Sequence, residues 1–120
     1  MRLRRPEDFR KVRSEGRSWA HPFVVLWAAP SDLERTRIGI TASRRVGNAV
    51  ARNRARRLLR ESVRHLYSCI AEGWDIVLVA RTALLGAHEP EVRDALRSIL
   101  ESANLLCVEC ERPECTLGSA

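Results

Sequence analysis

Lysine is almost absent from this chain: of 21 basic side chains, Lys11 is the sole lysine and the rest are arginine. Long apolar runs are missing too. The longest, Phe23 to Ala29 and Ile76 to Ala80, fall far short of the roughly 20 residues a membrane helix needs, so no membrane partner is expected. The N-terminal MRLRRPEDFRK carries charge with no apolar stretch behind it, so no secretory signal is expected. Four cysteines in such a chain are expected to stay reduced in the cytoplasm. Aromatic rings are few, namely Phe9, Trp19, Phe23, Trp27, Tyr67 and Trp74.

Catalytic and metal-binding groupings are scarce as well. His21, His65 and His88 are scattered, no HxxxH or DxD pattern occurs, and no Ser/His/Asp set has a recognisable context. A self-contained nuclease would need such a set. Cys107-x2-Cys110-x4-Cys115 brings three thiols close together. The spacing is irregular and no fourth ligand is obvious, so incidental tail cysteines are the simpler reading than zinc. Cys69 stands apart, with no role assigned.

What is abundant is positive charge, and it is unevenly placed. Residues 1–67 carry 17 basic and 6 acidic side chains, whereas residues 68–120 carry 4 and 9. The imbalance points to a nucleic-acid face in the first half. Arginine presents a planar fork suited to phosphates, although GC-rich codons explain part of the excess equally well. Between Arg44 and Tyr67 eight arginines stand against a single acid, Glu61.

The length of 120 residues suits one domain with its own core. Pro6-Glu7-Asp8 opens a short helix to about Val12, which turns Leu3, Phe9 and Val12 inward and ends at Gly16. Ala20 to Ala29 reads as a strand, and Thr36 to Ala42 as a second strand antiparallel to it across the Pro30-Ser31-Asp32 loop. A brief extended stretch from Ser43 to Val46 leads to Gly47. Asn48 then caps a long helix, which Glu72-Gly73 closes. At about 100° per residue, Ala51, Ala55, Leu58, Leu59, Ser62 and Leu66 share one arc of that helix. Arg52, Asn53, Arg56, Arg57, Arg60 and Arg64 lie opposite, with Arg54 at the margin. Trp74 to Ala80 is continuously apolar, the pattern of a strand covered on both faces. A last helix opens near Pro90 and buries Val92, Leu96, Ile99 and Leu100. The order predicts a single α+β sandwich over residues 1–104, followed by a disordered tail from 105 to 120.

The arginine helix repels itself: Arg52/Arg56, Arg56/Arg60 and Arg60/Arg64 are like charges one turn apart, at a few tenths of a kcal/mol per pair. A protein that keeps this face is expected to have a polyanionic partner. The helix start at Gly47-Asn48 can itself hold a phosphate, or serve as a plain cap. Phe23 and Trp27, four apart, are expected on one side of their strand. No short helix precedes the arginine helix at helix-turn-helix spacing, which argues against a DNA-binding regulator.

The stretch from Gly47 to Glu61, GNAVARNRARRLLRE, resembles the signature of the bacterial ribonuclease P protein family. Arg37 to Val46 is similar to the strand entering that signature, Arg2-Leu3, Phe9 and Gly16 to the family's first helix and turn, and Asp75 to Arg81 to its last strand. The resemblance covers about residues 2–104. It implies an α-β-β-β-α-β-α sandwich like domain 2 of ribosomal protein S5, with a left-handed βαβ crossover that departs from the usual rule. It implies a non-catalytic protein subunit of an endoribonuclease, whose RNA removes the 5′ leader of precursor tRNA using Mg²⁺ held by that RNA. No cofactor of the protein's own and no DNA partner are expected. The implied partners are the catalytic RNA, one protein per RNA, and the precursor tRNA 5′ leader. By position, Arg44, Arg45, Asn48, Arg52, Asn53, Arg54, Arg56, Arg57 and Arg60 would meet the catalytic RNA. Phe9, Arg13, Phe23 and Val25 would line a leader cleft, Arg13 standing where some relatives carry a ring. The alternative is a structural RNA-binding protein of ribosomal type with no processing role.

Overall fold

The computed structural model describes residues 6–31 and 35–106. Helix α1 spans Pro6–Glu15, strand β1 Arg17–Ala20, β2 Val24–Pro30 and β3 Arg37–Ala42. Helix α2 spans Ala49–Leu66, strand β4 Trp74–Ala80 and helix α3 Glu89–Ser102. Short 3₁₀ turns follow α2 at Tyr67–Cys69 and β4 at Thr82–Gly86. The expected α-β-β-β-α-β-α order is therefore present.

The sheet runs β1-β2-β4-β3. β4 lies antiparallel to β2, with Leu26 opposite Leu78, and parallel to β3, with Ile38 opposite Ile76. β3 thus runs antiparallel to β2, as expected, but is not its neighbour, because β4 lies between them. Asp75, Ile76, Val77 and Leu78 of β4 are all buried, so the most apolar strand takes the centre, where both faces are covered, and separates β2 from β3. β3 reaches β4 through α2, a parallel crossover.

The first strand also differs from expectation. Ala20 to Ala29 is not continuous, because the chain turns at His21-Pro22-Phe23. The Phe23 N–H donates to His21 Nδ1 (3.0 Å), and the backbones of His21 and Val24 bond each other. The additional strand is Arg17–Ala20, whose largely exposed RSWA carries no apolar pattern to announce it. Ser43 to Val46 is a turn rather than an extended stretch, closed by Val46 N–H to Ser43 O at 3.0 Å.

Helices α2 and α3 cover one side of the sheet, and α1 covers the other. The main core joins Val24, Leu26, Ile38, Ile76 and Leu78 to Ala55, Leu59, Leu66, Leu96 and Leu100. Each fully buried Leu or Ile contributes about 1.5–3 kcal/mol relative to exposure. A smaller cluster under α1 holds Val12, Ala29 and Val77, with Phe9, Trp27 and Val79 packed against it. α1 runs to Glu15, past the expected end at Val12, and stops where Gly16 meets β2. A Cβ at Gly16 would run into the Val12 and Ala28 carbonyl oxygens, so only glycine permits this approach. Leu3 lies outside the described residues.

Packing continues just past residue 104. Leu105 is buried, its carbonyl accepts the Ala71 N–H, and Leu106 bridges to Ile70. Cys107, Cys110, Cys115 and the rest of the expected tail lie outside the described residues. No described helix is long and apolar enough to cross a membrane.

Candidate nucleic-acid interface

The start of α2 is built by its neighbours in sequence. Gly47 adopts φ +145°, a conformation that side-chain-bearing residues rarely adopt. Asn48 follows with extended backbone, and its Oδ1 accepts the Ala51 N–H at 2.9 Å. Alanine, leucine and arginine, all strong helix formers, carry the helix on. Ala55, Leu59, Ser62 and Leu66 are buried against the sheet and α3, and the Ser62 hydroxyl donates back to the Leu58 carbonyl (2.9 Å). Of the expected arc these four are buried, while Ala51 and Leu58 are half-buried at its edges.

The opposite side is cationic. Arg54, Arg57 and Arg60 are exposed with Asn53, while Arg52 and Arg56 are half-buried. Arg56 donates to Asn53 Oδ1, which pins one guanidinium along the helix. Contacts of basic side chains with carboxylates among the described residues include Arg37–Asp75, Arg64–Glu61, His65–Glu89 and Arg93–Glu89. None takes Arg44, Arg45, Arg52, Arg54, Arg56, Arg57 or Arg60. Arg64 meets Glu61 at 3.3 Å in solvent, a contact worth under about 1 kcal/mol. The guanidinium row thus faces outward without internal neutralisation by described carboxylates.

Arg44 and Arg45 sit exposed on the turn before Gly47, which the Thr82 hydroxyl ties down by donating to the Arg45 carbonyl (3.3 Å). Ala42 and Ala80 are register partners, so the residues following β3 and β4 emerge side by side. Arg81 consequently joins Arg44, Arg45 and Asn48 at one end of the sheet. It is exposed, and its Nη1 donates to the His21 carbonyl at 3.4 Å. Its position at a strand terminus was readable from sequence; its neighbours were not, because they depend on the parallel register.

The other candidates lie across the sheet. Phe9 packs with the small cluster under α1, and the Arg13 guanidinium carbon sits 5.7 Å from the centre of the Trp27 ring. Val25 pairs with Val79 and alternation puts it on the same face as Trp27. Phe23 does not join them. It precedes β2 and packs against the main core, with its ring 5.2 Å from that of His21. The four-residue spacing to Trp27 fails because the turn at His21–Phe23 interrupts the alternation. Trp27, not Phe23, is the ring beside Arg13.

Among the described residues no group of three or more His, Cys, Asp and Glu side chains converges to hold a metal ion. The cationic helix, the basic strand ends and the ring-bearing face under α1 are what the surface offers.

The Ribonuclease P family profile matches residues 1–104. This chain belongs to the ribonuclease P protein family. The ribonuclease P protein component of Herpetosiphon aurantiacus is 41% identical over 104 residues, 87% of this chain and 85% of that protein. That of Chloroflexus aurantiacus is 45% identical over 106 residues, 88% and 78% of the two chains. Among solved structures, the Staphylococcus aureus RNase P protein superposes with a TM-score of 0.79 at 27% identity, covering 88% of this chain and 97% of that one. The Thermotoga maritima RNase P protein gives 0.76 at 30% identity, covering 85% and 96%. Family membership assigns the chain to ribonuclease P, an endoribonuclease of tRNA processing, and the shared fold extends across both layers that carry the candidate residues.

Proposed function

We propose that this chain is the RNA-binding, non-catalytic subunit of ribonuclease P, assisting a catalytic RNA in cleaving the 5′ leader from precursor tRNA. The observation that carries this reading is the row of outward-facing arginines on α2 with no carboxylate partner among the described residues. Arg52, Asn53, Arg54, Arg56, Arg57 and Arg60, with Arg44, Arg45 and Asn48 at the helix start, hold phosphates of the catalytic RNA. Each neutralised phosphate releases condensed counterions, so binding falls steeply with salt. The face under α1, with Phe9, Arg13, Val25 and Trp27, takes the single-stranded leader, whose bases stack on rings and guanidinium planes.

The two surfaces lie on opposite sides of one sheet. Such a wedge screens repulsion between two RNAs while keeping both in register. The protein contributes no nucleophile and no resident cofactor. Mg²⁺ bound by the RNA supplies the activated water. One protein acts per RNA, in the cytoplasm.

The test is reconstitution. Purified protein is added to a ribonuclease P RNA and a precursor tRNA at near-physiological Mg²⁺. Removal of the 5′ leader only when both protein and RNA are present supports the reading. Tight binding to RNA without any effect on cleavage would favour a purely structural RNA-binding role.

A further inference from the structure

Val50 is 76% exposed, against 37% for Tyr67, the other large apolar side chain left open among the described residues. Tyr67 has an internal task, since its hydroxyl donates to the Thr36 carbonyl at 2.8 Å. Val50 has none. It stands in the first turn of α2, outside both apolar clusters. Helix formation does not call for it either, because a β-branched residue is a poorer helix former than its neighbours Ala49 and Ala51.

Its surroundings do suggest a use. Residues three, four and seven positions along a helix share a strip of surface with the first, and for Val50 these are Asn53, Arg54 and Arg57, all exposed. Neither arginine has a described carboxylate partner. A nucleotide carries the matching pair of properties: an anionic phosphate beside an apolar ribose edge and base face. We propose that Val50 is the apolar contact of the RNA-binding face, packing on the sugar or base of a nucleotide whose phosphate is held by Arg54 or Arg57. The inference rests on the RNA-binding reading above and adds to it a contact that is not electrostatic. Charge complementarity selects RNA over an apolar protein groove as the occupant, since a protein partner would have to bury these guanidinium groups as well.

The distinction is measurable. A phosphate contact changes the slope of log affinity against log salt, whereas an apolar contact releases no counterions and shifts the line without tilting it. The experiment titrates a transcribed ribonuclease P RNA with wild type, Val50→Thr, Val50→Leu and Arg54→Ala over a range of salt, with thermal unfolding of each protein alongside. Val50→Thr keeps the shape and replaces one methyl with a hydroxyl. It is expected to weaken binding about 3- to 10-fold at every salt concentration, the effect of losing one apolar contact. Val50→Leu should retain wild-type affinity, and Arg54→Ala should flatten the slope. Thermal midpoints of the Val50 variants should match wild type. Unchanged affinity for Val50→Thr, with a steep wild-type slope, overturns the Val50 contact and leaves the RNA-binding reading intact. A lowered midpoint for Val50→Thr overturns it too, by showing that the side chain serves its own fold. A flat wild-type slope removes the RNA-binding reading itself.

Discussion

Arg37 grips Asp75 with both prongs of its guanidinium, Nε to Oδ1 and Nη2 to Oδ2, each at 2.9 Å. The two residues are register partners on the parallel strands β3 and β4, and the Asp75 side chain is only 4% exposed. The pair locks the end of the sheet opposite the arginine-rich turn and so sets the register that brings Thr82 against the Arg45 carbonyl. Breaking it strands a charge in the interior, which costs about 3–5 kcal/mol in comparable buried pairs. Arg37→Met is therefore expected to lower stability by roughly that amount, read by denaturant unfolding. Combining it with Asp75→Leu should recover most of the loss, because no buried charge then remains. Additive losses would show that the pair is not the source of the effect.

The entry to α2 makes a second prediction. A Cβ at Gly47 would approach the Ala51 Cβ to 2.9 Å, at a φ of +145°. Gly47→Ala is expected to destabilise by more than about 1 kcal/mol through backbone strain. Asn48→Ala removes the acceptor for the Ala51 N–H and should cost about 1 kcal/mol, with Asn48→Asp close to neutral. Thermal unfolding separates these outcomes. Because the cap also orients the first turn, RNA affinity should follow stability for Gly47→Ala.

These cases show which parts of the structure could be read from sequence. The cap, the apolar arc of α2 and the doubly covered β4 follow from local residue order, since helix and strand periodicity act over neighbouring positions. The pairing of β4 between β2 and β3 depends on contacts far apart in sequence, so the antiparallel direction of β2 and β3 was legible but their separation was not. Phe23 was misplaced for a local reason: His21-Pro22 makes a turn inside an otherwise strand-like run. Thr82 against Arg45, and Trp27 beside Arg13, emerge only once register and face are fixed. Leu105 went unseen because it joins the core beside a long-range pairing to the segment after α2, not through a periodic pattern of its own.

The guanidinium row predicts a specific salt response. Arg56→Ala with Arg60→Ala removes two side chains one turn apart, both without carboxylate partners among the described residues. RNA affinity should fall, and the slope of log affinity against log salt should flatten by about one unit per lost phosphate contact. Stability should hold or rise slightly, since two like charges at i,i+4 spacing no longer repel. An unchanged slope would show that these arginines do not meet phosphate.

The opposite face of the sheet should respond to a different ligand. Arg13 lies over Trp27, and a cation–ring contact at an exposed site is worth about 0.5–1 kcal/mol. Both groups also present planar surfaces on which a base can stack. Trp27→Ala removes the larger platform and part of the packing under α1, so Trp27→Leu is the better probe because it keeps bulk and loses the π-face. Base–aromatic stacking is worth about 1–3 kcal/mol per base. Trp27→Leu is thus expected to weaken binding of precursor tRNA to the assembled ribonucleoprotein by about fivefold or more. Mature tRNA, which lacks the leader, should bind as before, and affinity for the catalytic RNA should not change, because α2 lies on the other side of the sheet. The measurement is the ratio of precursor to mature tRNA affinity, compared between wild type and Trp27→Leu. If both tRNAs weaken equally, Trp27 supports the fold and not the leader, and the single strand must run elsewhere.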